Sequence, residues 1–233
     1  MASAVIVAAG QGKRFGPGID NLFLEAAGRP VVAHTWARFD SVPGIDEVVL
    51  VIRAGMEESF RAIAATLDLR KPWRLAAGGA ERQDSVWNGL QATSADADVV
   101  AIQDGARPCT DPRLITDTVA AALETGAAVA AQRVTDTLKQ SADGRIIDRT
   151  VDRSVLWAVQ TPQAFRRGVI LRALEEVRRR GLQVTDDTAA CECIGQPVRL
   201  VESRRPNPKI TYPGDVPFLE VLLARRNADA ARA

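Results

Sequence analysis

Strand-like runs that alternate with helix-like runs are the feature that most constrains the fold of this chain. The strand-like runs occupy residues 4–9, 48–52, 73–76, 99–102, 127–131 and 198–202. Helical spacing of apolar residues occupies residues 30–39, 57–67, 81–92, 112–124, 167–180, 187–193 and 213–226. Near-continuous apolar strands are typical of parallel sheets buried on both faces. The alternation therefore predicts an α/β fold with a mostly parallel sheet and helices on both faces.

The segment at about residues 134–155 interrupts this alternation. It is rich in Thr, Asp, Arg and Ile, and Asp143-Gly144 is a hairpin turn signal between β-branched arms. We interpret it as a protruding β-arm, and two alternatives stay open: an exposed insertion, or an arm that reaches a second subunit. Residues 1–226 are otherwise expected to form a single domain, and residues 227–233 a frayed tail.

Charge and apolar patterning exclude several classes of function. The 233 residues carry 30 basic and 29 acidic side chains, a net charge of +1, which argues against a nucleic-acid coat or a polybasic membrane anchor. No apolar run reaches the roughly 18 residues that span a bilayer, and the amino terminus lacks the basic region of a signal peptide. We therefore expect a cytoplasmic protein whose partners are neither nucleic acid nor membrane.

Histidine and cysteine limit the chemistry further. His34 is the only histidine, which excludes most zinc sites and His–His acid–base pairs, and its place at a predicted helix start favours a structural role. Cys109, Cys191 and Cys193 form no CxxC pair and are expected as reduced thiols. No metal site built from protein ligands is predicted.

A glycine-rich turn after the first strand is the strongest local signal. Small residues precede two cations there, in the order Ala8, Ala9, Gly10, Gly12, Lys13 and Arg14. Small residues let backbone N–H groups approach an anion closely. The glycine spacing fits neither a Walker A loop nor a dinucleotide fingerprint, which also requires an acidic residue where this chain has Arg53. Binding of a triphosphate whose charge must be neutralised fits the turn better.

Four further blocks carry residues suited to binding, namely Gly79, Arg82, Ser85, Asp104, Arg153 and Lys209. The first block is a double glycine before a helix, with Arg and Ser three residues apart on one helical face. The aspartate ends a central strand, where open α/β sheets place their ligand sites. The last two cations are flanked by β-type residues, which favours fixed positions over free exposure.

Taken in order, these blocks resemble the 2-C-methyl-D-erythritol 4-phosphate cytidylyltransferases over residues 4–225. The motifs that carry the resemblance are Ala8-Ala9-Gly10-x-Gly12-x-Arg14, Gly79-x-x-Arg82-x-x-Ser85, Asp104-x-Ala106-Arg107-Pro108, Thr135-Asp136-Thr137-x-Lys139, Thr150-Val151-Asp152-Arg153, Thr161-Pro162-Gln163 and Lys209-Ile210-Thr211. The resemblance implies a Rossmann-like nucleotidyltransferase fold and a homodimer whose arms exchange. It also implies transfer of CMP from CTP to methylerythritol phosphate, with Mg²⁺ held mainly through the CTP phosphates.

The same resemblance implies a role for each matching residue. For the nucleotide, it implies contacts from Ala8, Ala9, Gly10, Gly12, Gly79, Arg82 and Ser85, with Arg14 on the phosphates. Lys13 is assigned to the nucleotide by its charge in the glycine-rich turn. For the methylerythritol phosphate, it implies contacts from Asp104, Arg107 and Thr161, and from Thr137 and Arg153 of the partner's arm. Arg153 also counts among the catalytic groups, and Lys209 is expected near the reacting phosphates.

One position departs from the family pattern. Asn21 stands where the family carries a catalytic Lys, and the amide donates hydrogen bonds but carries no charge. Loss of one charged transition-state contact costs about 2.7–4 kcal/mol if it resembles loss of an oxyanion donor. Two alternatives follow: the enzyme is slow, or Lys13 or a rearranged loop compensates for the missing charge.

Three other functions stay open on the sequence. A cytidylyltransferase for another phospho-alcohol, such as ribitol 5-phosphate, would share the chemistry and differ in its acceptor pocket. A CTP-binding homologue that has lost catalysis is motivated by Asn21. An NADP-linked oxidoreductase would use Arg53 for the 2′-phosphate.

Overall fold

The computed structural model describes residues 1–10, 12 and 19–230, with side chains as far as residue 226. The described strands are β1 (Ala2–Ala8), β2 (Glu25–Ala26), β3 (Arg29–Pro30), β4 (Glu47–Ile52), β5 (Trp73–Ala77), β6 (Val99–Asp104), β7 (Ala127–Arg133), β8 (Lys139–Gln140), β9 (Arg149–Thr150), β10 (Trp157–Arg166) and β11 (Arg199–Glu202). The described helices are α1 (Val31–Ser41), α2 (Glu57–Ala65), α3 (Arg82–Ala92), α4 (Pro112–Thr125), α5 (Arg167–Arg179), α6 (Asp187–Glu192) and α7 (Asp215–Ala230).

The central sheet confirms the predicted α/β class. Its strand order within the described residues is β11-β7-β10-β6-β1-β4-β5. Every pairing is parallel except those of β10, which runs antiparallel to both β6 and β7. Strand β1 lies in the middle, where Val5 is in register with Val49 on one side and Ile102 on the other.

Helices cover both faces of this sheet because successive residues of each buried strand point to opposite sides. On one face Ile6 packs in a cluster that contains Trp36 of α1. On the other face Val5 packs in a cluster that contains Leu90 of α3 and Ile170 of α5. An apolar strand with no polar alternation is the sequence pattern that this two-sided burial requires.

Helix α3 packs closely against the sheet at Gly89. A Cβ atom at this position would lie 2.5 Å from Val5 Cγ1 and 2.7 Å from Val51 Cγ2. These separations are shorter than van der Waals contact, so a side chain here would push the helix outwards. The close approach brings the first turn of α3 over the carboxyl ends of the central strands.

Strand β10 is the main element that the sequence analysis missed. It contains Pro162, and a proline within a run argues against a central strand. The structure accommodates Pro162 at an irregularity, since the register against β7 shifts between Val159 and Gln163. The Thr161-Pro162 peptide bond is cis. The motif Thr161-Pro162-Gln163 therefore lies inside the sheet rather than in a loop.

The predicted β-arm is present as a short antiparallel hairpin. Lys139 pairs with Thr150 and Gln140 with Arg149. Gly144 has φ +69° in the connection, a left-handed conformation that glycine adopts without strain. Ile146 is 70% exposed. The hairpin contributes no residue to the buried core of this chain.

The carboxyl-terminal helix extends beyond its predicted end. Helix α7 continues to Ala230, so the tail predicted to fray from residue 227 begins inside a helix, and residues 231–233 lie outside the described residues. The Asn-Ala-Asp-Ala sequence there is half alanine, the residue with the highest helix propensity. Among the described residues, no helix has the length and apolar character needed to cross a membrane.

Candidate active site

A cavity of about 250 Å³ opens at the carboxyl ends of the central strands, the place where open α/β sheets bind their ligands. It brings together residues from four separate blocks of the sequence. The predicted site residues that line it are Ala9, Gly10, Gly12, Asn21, Gly79, Arg82, Ser85, Asp104 and Lys209. The site is therefore assembled from strand ends and helix starts rather than from one continuous motif.

The double glycine lets the start of α3 pack against the end of β1. A Cβ atom on Gly78 would lie 2.4 Å from the Cβ of Ala9, and one on Gly79 would lie 2.3 Å from the Cβ of Asp84. Ser85 accepts a 3.0 Å hydrogen bond from the Gly79 backbone N–H and is 3% exposed. The Ser85 hydroxyl thus holds the turn that forms one wall of the cavity.

Asp104 is the electrostatic centre of the site. Its carboxylate lies 2.9 Å from Lys209 Nζ, 3.5 Å from Arg107 Nε and 3.6 Å from Arg82 Nε. Burial raises the pKa of Asp104, but Lys209, Arg82 and Arg107 outweigh burial and lower this pKa to about 2. The carboxylate is therefore ionised at neutral pH, and it holds three cations that would otherwise repel one another.

Arg82 lies between two carboxylates. Its Nη1 is 2.9 Å from Oδ2 of Asp187, whose side chain is 1% exposed. Neither oxygen of Asp187 has a well-aligned hydrogen bond among the described residues, so the contact is an ion pair. Burial raises the pKa of Asp187 despite the opposing effect of Arg82. Burial also lowers the pKa of Arg82, but Asp187 and Asp104 raise it above its ordinary value.

Asp187 was missed by the sequence analysis. It precedes no glycine and ends no strand, and Asp186-Asp187 resembles the start of a short helix. Asp186 does begin the helix: it caps α6 by accepting a 2.9 Å hydrogen bond from the Ala189 backbone N–H. The sequence shows Asp187 only as an acidic residue at a helix start. The helix dipole favours acidic residues there whether or not they belong to a site.

Arg107 and Thr161 lie behind Asp104, outside the cavity lining of the described residues. The Thr161 hydroxyl accepts a 3.1 Å hydrogen bond from the Asp104 backbone N–H. Arg107 Nη1 donates to the Asn207 carbonyl at 2.6 Å, and Asn207 Nδ2 donates to the Thr161 carbonyl at 2.9 Å. These contacts tie the end of β6 to β10 and to the segment that carries Lys209.

Asn21 lines the cavity, and its side chain is engaged. Its Nδ2 donates to the Ile210 carbonyl at 2.7 Å. Gly12 lies against it with φ +58°, and a Cβ atom on Gly12 would lie 2.8 Å from Asn21 Oδ1. The amide thus connects the glycine-rich turn to the residue that follows Lys209.

The remaining predicted site residues do not line this cavity in the described part of the chain. Ala8 is buried at 3% exposure beneath the glycine-rich turn. Thr137 and Arg153 are exposed on the arm, where Arg153 donates to the Thr135 carbonyl. Lys13 and Arg14 lie outside the described residues. Neither Thr137 nor Arg153 lines the cavity of its own chain.

His34 is remote from this chemistry. Its Nε2 lies 2.7 Å from the Ala26 carbonyl, and burial lowers the pKa of the imidazole. It joins α1 to the small β2–β3 hairpin, the structural role that its sequence context indicated.

The described residues bring no three His, Cys, Asp or Glu side chains together in a way that could hold a metal ion. Asp104 is already engaged with three cations. These donors do not form a resident metal site. They are compatible with an ion that enters the site on phosphate oxygens, since Mg²⁺ keeps several waters and is commonly bound through substrate phosphates.

Comparison with known proteins identifies the family. A family model described as 2-C-methyl-D-erythritol 4-phosphate cytidylyltransferase matches residues 2–225. The chain belongs to this family. Curated members include one from Syntrophotalea carbinolica, 45% identical over 94% of both chains, and one from Geobacillus thermodenitrificans, 42% identical over 97% of this chain and 98% of that one.

Solved structures agree with this assignment. A 4-diphosphocytidyl-2C-methyl-D-erythritol synthase from Anaerococcus prevotii superimposes with a TM-score of 0.85 at 31% identity and covers 96% of each chain. The Thermus thermophilus cytidylyltransferase gives a TM-score of 0.78 at 32% identity, over 95% of this chain and 98% of that one. The nucleotidyltransferase fold implied by the sequence resemblance is thereby confirmed.

The oxidoreductase alternative is wrong. The family match assigns the chain to the cytidylyltransferases, and Arg53 is engaged within the protein. Its guanidinium donates to the Gly10 carbonyl at 2.7 Å and to Asp20 at 2.5 Å. The residue proposed to bind a 2′-phosphate therefore holds the glycine-rich turn instead.

The low pKa of Asp104 predicts a pH-dependent stability difference between the wild type and Asp104→Asn. The folded pKa of about 2 lies below the ordinary value of 3.8, so ionised Asp104 stabilises the fold above about pH 4, and this stabilisation is lost as pH falls towards 2. Urea denaturation should show that the difference in free energy of unfolding between the wild type and Asp104→Asn shrinks by about 1–2 kcal/mol from pH 6 to pH 2.5. A gap that does not change with pH would show that the three cations do not hold the carboxylate ionised.

Proposed function

We propose that this chain transfers CMP from CTP to 2-C-methyl-D-erythritol 4-phosphate, giving 4-diphosphocytidyl-2-C-methyl-D-erythritol and pyrophosphate in isoprenoid precursor biosynthesis. The observation that carries the proposal is the cavity in which the glycine-rich turn, the start of α3, Asp104 and Lys209 meet in a chain that matches the family over residues 2–225. The acceptor and the nucleotide both carry phosphates, and the cavity offers two cations, Arg82 and Lys209, beside the carboxylates of Glu81 and Asp104.

The reaction requires no general base. A phosphate oxygen of the acceptor forms a bond to the α-phosphorus of CTP, and the bond from that phosphorus to the bridging oxygen of pyrophosphate breaks. A phosphate monoester has a second pKa near 6 and is already ionised at neutral pH. The chain's single histidine lies outside the cavity, which agrees with chemistry that needs no proton acceptor.

The protein's main task is to bring two polyanions together. Lys209 and Arg82 line the cavity, and we assign to them the neutralisation of phosphate charge. Arg14, which the resemblance places on the phosphates, adds to it, and so does the charge of Lys13 beside it in the sequence. Cations held in place before substrate arrives stabilise developing charge without reorganisation during the reaction, and orientation of the acceptor phosphate lowers the barrier further.

Asp104 keeps these cations in position. It draws the Lys209 ammonium to 2.9 Å and lies next to Arg82 and Arg107. We assign Asp104 to the acceptor side of the cavity, with Arg107 and Thr161 supporting its strand end from behind. Mg²⁺ carried by CTP supplies further neutralisation of phosphate charge when bound, and no residue of this chain is assigned to it as a ligand.

The nucleotide side of the cavity is formed by backbone rather than by long side chains. Ala9, Gly10, Gly12 and Gly79 line the cavity. Small residues on both sides leave backbone N–H and C=O groups accessible to a base edge or a phosphate. We therefore assign the cytosine, ribose and triphosphate of CTP to this side, with Ser85 holding the Gly79 turn.

Pyrophosphate release tests the proposed activity. The purified protein, with CTP, Mg²⁺ and methylerythritol phosphate, should release pyrophosphate in proportion to acceptor consumed. Ribitol 5-phosphate in place of the acceptor should give much slower release. Equal rates with both would point to a different phospho-alcohol substrate, and CTP binding without release would indicate a homologue that has lost catalysis.

We assign the protein to a homodimer in which the 134–155 arms exchange. The arm carries exposed apolar side chains, with Ile146 70%, Ile147 59% and Val155 73% exposed. Apolar side chains exposed together mark interaction surfaces. Thr137 and Arg153, which the resemblance assigns to the acceptor, lie on this arm and outside the cavity lining of their own chain.

Subunit complementation tests the exchange. Arg153→Ala and Lys209→Ala should each be nearly inactive as homodimers. When the two are unfolded together and refolded, half of the dimers are mixed, and each mixed dimer contains one intact site, so activity should return to about a quarter of the wild type. No recovery, with dimers verified by sedimentation, would mean that Arg153 serves its own chain or has no role.

A cytoplasmic location is the accompanying proposal. Cys109, Cys191 and Cys193 are free thiols among the described residues, and free thiols are typical of reducing compartments.

Asn21→Lys tests the departure from the family pattern. The new ammonium would add a positive charge at the cavity wall, and we expect kcat to rise, by about a hundredfold if it restores a full charged contact in the transition state. Asn21→Ala is the matched control, since it removes the amide without adding charge and should lower kcat. A Lys variant that is no faster than wild type would show that this site depends on the hydrogen bond from Asn21 to Ile210 rather than on charge.

A further inference from the structure

A single arginine holds together two separate stretches of the nucleotide side of the cavity. Arg53 follows the last residue of β4, and its guanidinium donates to the Gly10 carbonyl at 2.7 Å and to Asp20 Oδ2 at 2.5 Å. Both side chains are partly buried, at 27% exposure for Arg53 and 18% for Asp20. Gly10 lines the cavity, whereas Arg53 is outside its lining in the described part of the chain.

Asp20 links Arg53 to the turn that contains Asn21. One Asp20 oxygen contacts Arg53, and the other accepts a 3.0 Å hydrogen bond from the Leu22 backbone N–H. The Asp20 carbonyl accepts from the Phe23 N–H at 3.1 Å. Asn21 is therefore enclosed in a turn whose first residue is fixed by Arg53, as side-chain oxygens of Asp commonly fix turns.

The connection continues to the segment that carries Lys209. Asn21 donates to the Ile210 carbonyl at 2.7 Å, and the Ile210 N–H donates to the Ala106 carbonyl at 2.9 Å. Hydrogen bonds on either side of the Asp20–Asn21 peptide thus connect Arg53, at the end of β4, to the residue next to Lys209.

We infer that Arg53 is a positioning residue for the nucleotide: it sets the distance between the Gly10 wall and the Asn21 turn, and thereby the place where the CTP triphosphate binds. The inference rests on the proposed function. A planar guanidinium with several donors can hold two acceptors in fixed directions, whereas an ammonium is a flexible point charge. The contact with Asp20 is charge-assisted, which makes it stronger than a neutral hydrogen bond.

The same strand provides a matched control. Glu47 begins β4, away from the cavity, and its Oε2 lies 2.9 Å from Nη2 of Arg74 on the neighbouring strand β5. This pair is also a strand-associated ion pair with one partly exposed arginine, but neither residue lines the cavity in the described structure. Loss of Arg74 should affect stability without a specific effect on the nucleotide.

The experiment compares Arg53→Met, Arg53→Lys, Asp20→Asn and Arg74→Met in the full chain. For each protein, kcat, the KM of CTP, the KM of the acceptor, the Kd of CTP by calorimetry and the Tm are measured. Arg53→Met should raise the KM and Kd of CTP about tenfold, the scale of a lost hydrogen bond to a charged group, and leave the KM of the acceptor unchanged. Arg53→Lys should recover part of the loss, and Arg74→Met should leave both KM values unchanged.

A double variant separates a shared contact from independent effects. If Arg53 acts through Asp20, the Arg53→Met/Asp20→Asn protein should bind CTP no more weakly than Arg53→Met alone, since contacting residues are not additive. An unchanged Kd of CTP in Arg53→Met, or equal increases in the KM of both substrates, would overturn the inference. A wild type that binds CTP but releases no pyrophosphate would overturn the proposed function instead, and the Kd comparison would still test Arg53.

Discussion

The shared carboxylate of Asp104 is the interaction on which the candidate site depends. Three cations, Lys209, Arg107 and Arg82, lie within 3.6 Å of it, and Asp187 pairs with Arg82 from the opposite side. The group has one more positive charge than negative charges. Lys209 is the most exposed of the three cations, with 38% of its side chain accessible, so its ammonium can meet a phosphate group that enters the cavity.

The scaffold keeps this charge cluster in place with contacts that are distant in sequence. Asp104 ends β6, its backbone N–H is bound by Thr161 of β10, and Asn207 connects β10 to the Lys209 segment. Sites built on strand ends are positioned more precisely than sites on free loops. The antiparallel strand β10 therefore has a functional consequence: it brings Thr161 to the end of β6.

The parts predicted correctly from the sequence are those with local signals. Buried parallel strands are recognisable because every residue is apolar, and the glycine-rich turn is recognisable because small residues follow the first strand. Strand β10 gave no such signal, since it contains Pro162 and polar neighbours and is stabilised by strands on both sides. Asp187 and Arg53 were missed for a related reason. Their roles depend on contacts with residues more than 30 positions away, which no local pattern encodes.

The neutral residue at position 21 is best understood through its neighbours. Asn21 connects the turn fixed by Asp20 to the Ile210 carbonyl, and a lysine at this position would replace that connection with a solvated, flexible charge. In a site that already holds Lys209, Arg82 and Arg107 around one carboxylate, additional charge increases repulsion between cations as well as attraction for phosphate. A lysine at position 21 would add charge, whereas Asn21 adds a fixed hydrogen bond to Ile210. This chain has the fixed hydrogen bond, and Arg53 and Asp20 hold the turn in which the amide lies.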